Sequence, residues 1–161
     1  MPFHDSEMTT KTYDNRILLG EISDMLAQGG EVILRAKGFS MEPFIRSELD
    51  SVRLCKPETV NVGDIVLACL EGESYVLHRV FAVEGGRVTL MGDGNVRGKE
   101  HCLLSDVKGK VKTIVSPTGR ERVPGKGRVW RWLMPVRRYI LGVYRRVYRR
   151  KYRKEFYRNE T

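Results

Sequence analysis

The spacing of apolar residues changes along the chain, and each change marks an element. From Leu18 through Ile22, Met25 and Leu26 the spacing is three or four, which puts these residues on one helical face. Asp14 is placed to cap that helix and Gly29-Gly30 to end it. Glu31 to Ala36 then alternates, as a strand does. Strand-like runs recur at Ser51 to Cys55, Asp64 to Leu70, Tyr75 to Val83, Arg87 to Leu90 and Val107 to Val115. Turn residues separate them: Pro57, Gly63-Asp64, Glu71-Gly72, Gly85-Gly86 and Gly92-Asp93-Gly94-Asn95. No strand–helix–strand alternation occurs. The body is therefore expected to be mainly β, a small antiparallel sheet or partly closed barrel with a helical preface.

Residues 1–12 read as a flexible start, 13–116 as the body, and 117–127, rich in Gly, Pro and charge, as a linker. In the tail, 128–161, helical spacing returns: Val129, Leu133, Val136, Ile140, Val143 and Val147 form a stripe, with Arg131, Arg138, Arg145 and Arg149 mostly opposite. Pro135 suits a first helical turn, so a short turn followed by a long helix is expected.

The formal charge of +9 belongs to that tail. From Lys126 onward there are thirteen Lys and Arg against two Glu, whereas residues 1–125 hold sixteen against eighteen acids. The three cysteines, Cys55, Cys69 and Cys102, lack metal-ligand spacing and cannot all pair, so neither zinc nor a disulfide framework is expected, and no cofactor is. Met1 to Asn15 has no apolar core of the signal-peptide kind, and no run of about 18 apolar residues occurs, so no transmembrane helix is expected.

One stretch breaks the strand pattern with chemistry-bearing residues: Gly38-Phe39-Ser40-Met41-Glu42-Pro43-Phe44-Ile45. Pro43 has no N–H to give a ladder and disfavours helix at Glu42, so Ser40 is expected on a loop or strand end. A serine hydroxyl is a weak nucleophile until a base takes its proton. Of the three histidines, His78 alone stands in an apolar strand, sharing a face with Val76 and Val80. Imidazole titrates near pH ~6.5 and can accept a proton at neutral pH. A buried histidine bonded to backbone and a catalytic base both fit this pattern.

These residues form a larger set. Gly-x-Ser-Met-x-Pro at 38–43, Asp50-Ser51-Val52, Val62-Gly63-Asp64-Ile65-Val66, Leu77-His78-Arg79-Val80 and Gly92-Asp93-Gly94-Asn95 resemble, in this order, the serine peptidase superfamily that holds type I signal peptidases and LexA-like self-cleaving repressors. The resemblance covers Val32 to Val111 and is to the branch with histidine as base. It implies a LexA/signal-peptidase-like β fold, with Ser40 as nucleophile, His78 as general base and Asp93 as the acid that orients His78 or supports the site. It further implies that the Ser40 N–H helps stabilise the oxyanion, that Met41 and Pro43 shape the loop and the wall of the substrate pocket, and that cleavage follows small side chains of an extended peptide docked as an added strand. That branch usually has a second aspartate soon after Gly-Asp-x-Asn; here Gly98 stands near that place and Glu100 is the nearest acid.

The tail, with two Trp and five Tyr among its cations, is expected to lie on an anionic membrane surface, with Trp130, Trp132, Leu133 and Ile140 at the lipid boundary. Nucleic acid and a partner helix or the body itself are the alternatives. The whole then reads as a serine endopeptidase for a precursor or leader peptide, cytoplasmic and peripherally membrane-associated. The alternatives are a non-catalytic peptide-binding domain of the same fold and a LexA-like regulator with a nucleic-acid-binding tail.

Overall fold

A computed structural model describes residues 15–71 and 73–158; the side chains of residues 15, 16, 149 and 152–158 are outside the description. The expected flexible start and the Asp14 cap also fall outside it. The chain is mainly β, with 35% strand against 27% helix. Helix α1 (Asn15–Ala27) leads into β1 (Val32–Arg35), β2 (Ser51–Cys55), β3 (Ile65–Leu70), β4 (Ser74–Glu84), β5 (Arg87–Met91), β6 (Glu100–Leu103), β7 (Val107–Val115) and β8 (Glu121–Arg122). Helices α2 (Arg128–Trp132) and α3 (Arg137–Arg158) follow, joined by a 3-10 turn at Met134–Val136.

Neighbouring strands run antiparallel in the order β1-β2-β7-β3-β4-β5-β6, and β8 adds to β7. Register slips interrupt the ladders at Arg53/Leu54, Leu67/Ala68 and Val80/Ala82. An extra residue bends a strand and adds twist, and the sheet curls into a half-barrel. The apolar run of β3 is buried on both faces. Ile65 and Leu67 join α1, Val52, Leu54, Val111 and Ile114 in one core; Val66 and Ala68 join Val80, Val88, Leu90 and Cys102 in the other. Fully burying a Leu or Ile contributes about 1.5–3 kcal/mol, so these two layers hold the frame on which the loops sit.

Helix α1 lies on the first core through Ile22 and Leu26, while Met25, expected on the same face, is exposed. Leu26 reaches the sheet where β7 has no side chain: a Cβ on Gly109 would meet its Cδ1 at 2.8 Å.

The Ser40 stretch is the long connection of the β1–β2 hairpin. Its neck is closed by backbone bonds from Ala36 N–H to the Asp50 carbonyl (3.0 Å) and from Glu48 N–H to the Ala36 carbonyl (2.8 Å). Arg46 donates to both carboxylate oxygens of the fully buried Asp50, through Nη2 at 2.7 Å and Nε at 3.0 Å. Burial pushes the Asp50 pKa up, but the bonds from Arg46 and the charge of Arg122 outweigh it and hold the carboxyl below its ordinary 3.8. A depressed carboxyl stabilises the fold above its unfolded pKa and stops doing so as pH falls through the folded value. Asp50→Asn is therefore expected to cost about 1–3 kcal/mol at neutral pH and much less in acid. Urea midpoints at neutral pH and below pH ~3 check this, the gap between parent and variant closing in acid.

Candidate active site

Ser40 follows Gly38, where the backbone turns left-handed (φ 85°), and opens a tight turn in which Phe44 and Ile45 N–H donate to the Met41 carbonyl at 3.1 and 3.0 Å. The neighbouring turn, Gly92 to Asn95, packs directly on it. Gly94 N–H donates to the Ser40 carbonyl at 2.8 Å. A Cβ on Gly92 would run into that same carbonyl oxygen, and one on Gly94 into the Phe39 carbonyl oxygen. The two glycines of the Gly-Asp-Gly-Asn block thus let one backbone lie against another, which fixes the height of Ser40. The backbone N–H of Ser40 donates to no acceptor among the described residues.

His78 lies on β4, buried, opposite Val66 of β3. Its partner comes from two strands away. Val80 pairs with Leu90, and Leu90 with Glu100, so these three share one face of the sheet. His78, two residues from Val80, shares that face too. Glu100 Oε2 lies 2.8 Å from His78 Nδ1. An ionised carboxylate can only accept, so a neutral imidazole facing one would carry its proton on Nδ1 and keep on Nε2 the lone pair that a base needs.

Ser40 and His78 line the same cavity, about 440 Å³, walled by Leu34, Met41, Leu67, Tyr75 and Leu77, with Leu18 and Leu19 of α1 on its rim. The Ser40 hydroxyl and the His78 ring make no hydrogen bond to each other among the described residues. Two strand edges flank the cavity. Among the described residues β1 pairs only with β2, and β4 pairs with β5 only from Arg79 onward, so Ser74–His78 has an edge without a strand on it.

Two of the expected site residues are placed differently. The acid on His78 is Glu100, and Asp93 faces Arg79 instead, accepting from its Nε at 2.8 Å and its Nη2 at 2.7 Å. The reason is a charge in the middle of β4: Arg79 is almost fully buried and needs a counter-charge. Its Nη1 also donates to the Gly63 and Gly125 carbonyls (2.9 and 2.6 Å), tying the linker to the body. Asp93 therefore supports the site from beneath, by holding the turn on which the Ser40 loop rests. Met41 lines the cavity, whereas Pro43 is not among its lining residues and lies in the turn of the loop.

The tail meets the same turn from outside. Trp130 Nε1 donates to the Asp93 carbonyl at 2.9 Å, and its ring meets Phe44 edge-on at 5.4 Å. Arg137 Nη2 donates to the Trp130 carbonyl (3.0 Å), and Arg145 Nη2 to the Gly94 carbonyl (2.7 Å). Trp130, Arg137 and Leu141 are buried, so Trp130 is not free for a lipid boundary. The expected apolar stripe points away from the body: Val129, Val136, Ile140, Val143 and Val147 are exposed, beside a Trp132 that is 80% exposed. Among the described residues no helix is long and apolar enough to cross a membrane.

Comparison with protein-family models gives no match, and comparison with curated proteins gives none.

Proposed function

We propose that the chain is a serine endopeptidase of signal-peptidase type that cleaves an extended precursor or leader peptide at a membrane surface. The observation that carries this reading is the joint placement of Ser40 and of a Glu100-oriented His78 on one apolar cavity between two unpaired strand edges. An extended peptide laid along either edge would add main-chain hydrogen bonds and present alternate side chains to the cavity. Ser40 Oγ then attacks the scissile carbonyl while His78 Nε2 takes its proton, and the Ser40 N–H receives the oxyanion. His78 returns the proton to the leaving amine, and water hydrolyses the acyl-serine by the same steps in reverse roles. Glu100 keeps the imidazole in the tautomer that can do this. Free-enzyme hydrogen bonds of this kind are commonly long and tighten only with substrate, which accommodates the missing Ser40–His78 bond.

That missing bond equally favours a second reading, a peptide-binding domain without chemistry. Ser40→Ala and His78→Ala, each assayed on an extended peptide with small side chains at successive alternate positions, separate the two. Cleavage that survives both changes ends the catalytic reading.

The exposed stripe of α2 and α3 supports the membrane part of the proposal. Trp132, Val136, Ile140, Val143 and Val147 are flanked by Arg146, Arg150 and Lys151, the arrangement of an interfacial helix. The chain is expected to float with vesicles containing anionic lipid and not with neutral ones. Replacing Val143 and Val147 by Ser should abolish flotation. Undiminished flotation, or none by the parent chain, would remove the membrane from the account.

A further inference from the structure

Arg137, the first residue of α3, is a buried cation with no ion pair to a carboxylate among the described residues. It is 4% exposed. Its Nη1 reaches only the Met91 sulfur (3.8 Å) and the Asn95 carbonyl (3.4 Å), and its Nη2 the Trp130 carbonyl. The guanidinium lies 5.0 Å from the Trp130 ring centre. Its Nε is buried and has no hydrogen-bond partner among the described residues. A guanidinium cannot shed its proton in a protein, so the charge stays, and a buried donor left unmade is costly.

Beside Arg137 a hollow opens to solvent, lined also by Arg79, Lys126, Arg131 and Asp93. Arg79 uses up the Asp93 carboxylate, as described above. Lys126 and Lys110 share Asp64. Arg131 is held by the Phe81 carbonyl (2.6 Å) and by the Phe81 ring, 3.9 Å from its guanidinium carbon. The cations thus outnumber the carboxylates that could answer them, and the innermost one is the least satisfied. The hollow measures about 30 Å³. One water-sized atom needs roughly 10–15 Å³, so two or three oxygen atoms enter and a nucleotide does not.

We propose that this hollow is an anion site that takes two or three oxygens of a phosphate group, with Arg137 as its innermost charge and Lys126 and Arg131 at its mouth. The phosphate is either free or the headgroup of an anionic lipid. The second source is close at hand, because the largely exposed Trp132 adjoins Arg131 in α2. The site is separate from the cleft chemistry, and its failure would leave the peptidase reading untouched.

The test uses the full chain, titrated calorimetrically with inorganic phosphate and with glycerol 3-phosphate, and by flotation with vesicles containing phosphatidic acid. Arg137→Gln is expected to weaken binding about tenfold, the loss of one charge-assisted donor. Should circular dichroism find that variant unfolded, the exposed pair Lys126→Gln and Arg131→Gln decides, with the same expected loss. Arg87→Gln with Arg120→Gln removes equal charge at exposed positions outside both the hollow and the tail, and serves as control. Binding of the two soluble phosphates, weakened only by the hollow variants, supports the proposal with free phosphate as source. Binding of the vesicles alone, weakened by the same variants, supports it with lipid as source. No binding of any of the three ligands, or equal losses in the hollow and control variants, would overturn it.

Discussion

Ser40→Ala is expected to lower kcat for peptide cleavage by a factor on the order of 10⁴–10⁶, and His78→Ala by a similar factor. In the proposed mechanism the two act as one unit, the hydroxyl attacking only as the imidazole takes its proton. The double variant should therefore be about as slow as either single one, not slower by the product. Glu100→Gln is expected to cost less, about 10²–10⁴. Gln can donate as well as accept, so it no longer dictates which ring nitrogen of His78 carries the proton. Its loss should appear in kcat with KM little changed, because Glu100 reaches the imidazole and does not line the cavity. Initial rates on an extended peptide under saturating conditions measure all three. Additive losses, or a Glu100→Gln variant of full activity, would show that these residues do not form one relay.

Asp93→Asn is expected to destabilise the fold by about 3–5 kcal/mol, the usual cost of breaking a buried ion pair from one side. Asp93 is the carboxylate that Arg79 grips through Nε and Nη2, and its charge also bears on Arg137. Burial lowers the Arg137 pKa most, Asp93 pulls it up and Arg79 pushes it further down. Removing the Asp93 charge leaves two buried guanidiniums facing each other, neither able to neutralise. Asparagine has nearly the same shape, so packing is retained and the loss is one of charge. Since the Asp93 turn bears the Ser40 loop and receives Trp130, any folded fraction should also lose activity and tail docking. Urea unfolding followed by tryptophan fluorescence measures the cost, and a loss below about 1 kcal/mol would contradict the ion-pair account.

The parts of this structure that were readable in the chain are those with a period or a motif. β4 was expected at Tyr75 to Val83 and runs from Ser74 to Glu84; β7 was expected at Val107 to Val115 and occupies those residues. β6 was missed. It has four residues, of which only Cys102 is buried, too few to display alternation. Yet β6 carries Glu100, and the pairing of Val80, Leu90 and Glu100 is what brings that acid to His78. The family resemblance, through the Gly-Asp-Gly-Asn block, offered Asp93 for that task or for support of the site. The competing signal was Arg79, a cation inside an apolar strand that had to find a counter-charge. The docking of the tail had no such signal. Trp130, Arg137 and Arg145 all bond to backbone carbonyls, and a carbonyl belongs to every residue alike. The apolar stripe was correctly located as a stripe, but the body binds the adjacent face, through Leu141 and those polar contacts.

The central claim is that His78 activates Ser40, and a serine-directed fluorophosphonate tests it most directly, because it needs no knowledge of the peptide substrate. Intact-mass spectrometry of the treated chain should show one adduct, mapped to Ser40 by proteolysis, absent from Ser40→Ala and formed far more slowly in His78→Ala. A chain that forms no adduct, or one in which His78→Ala labels Ser40 at the parent rate, would contradict the account.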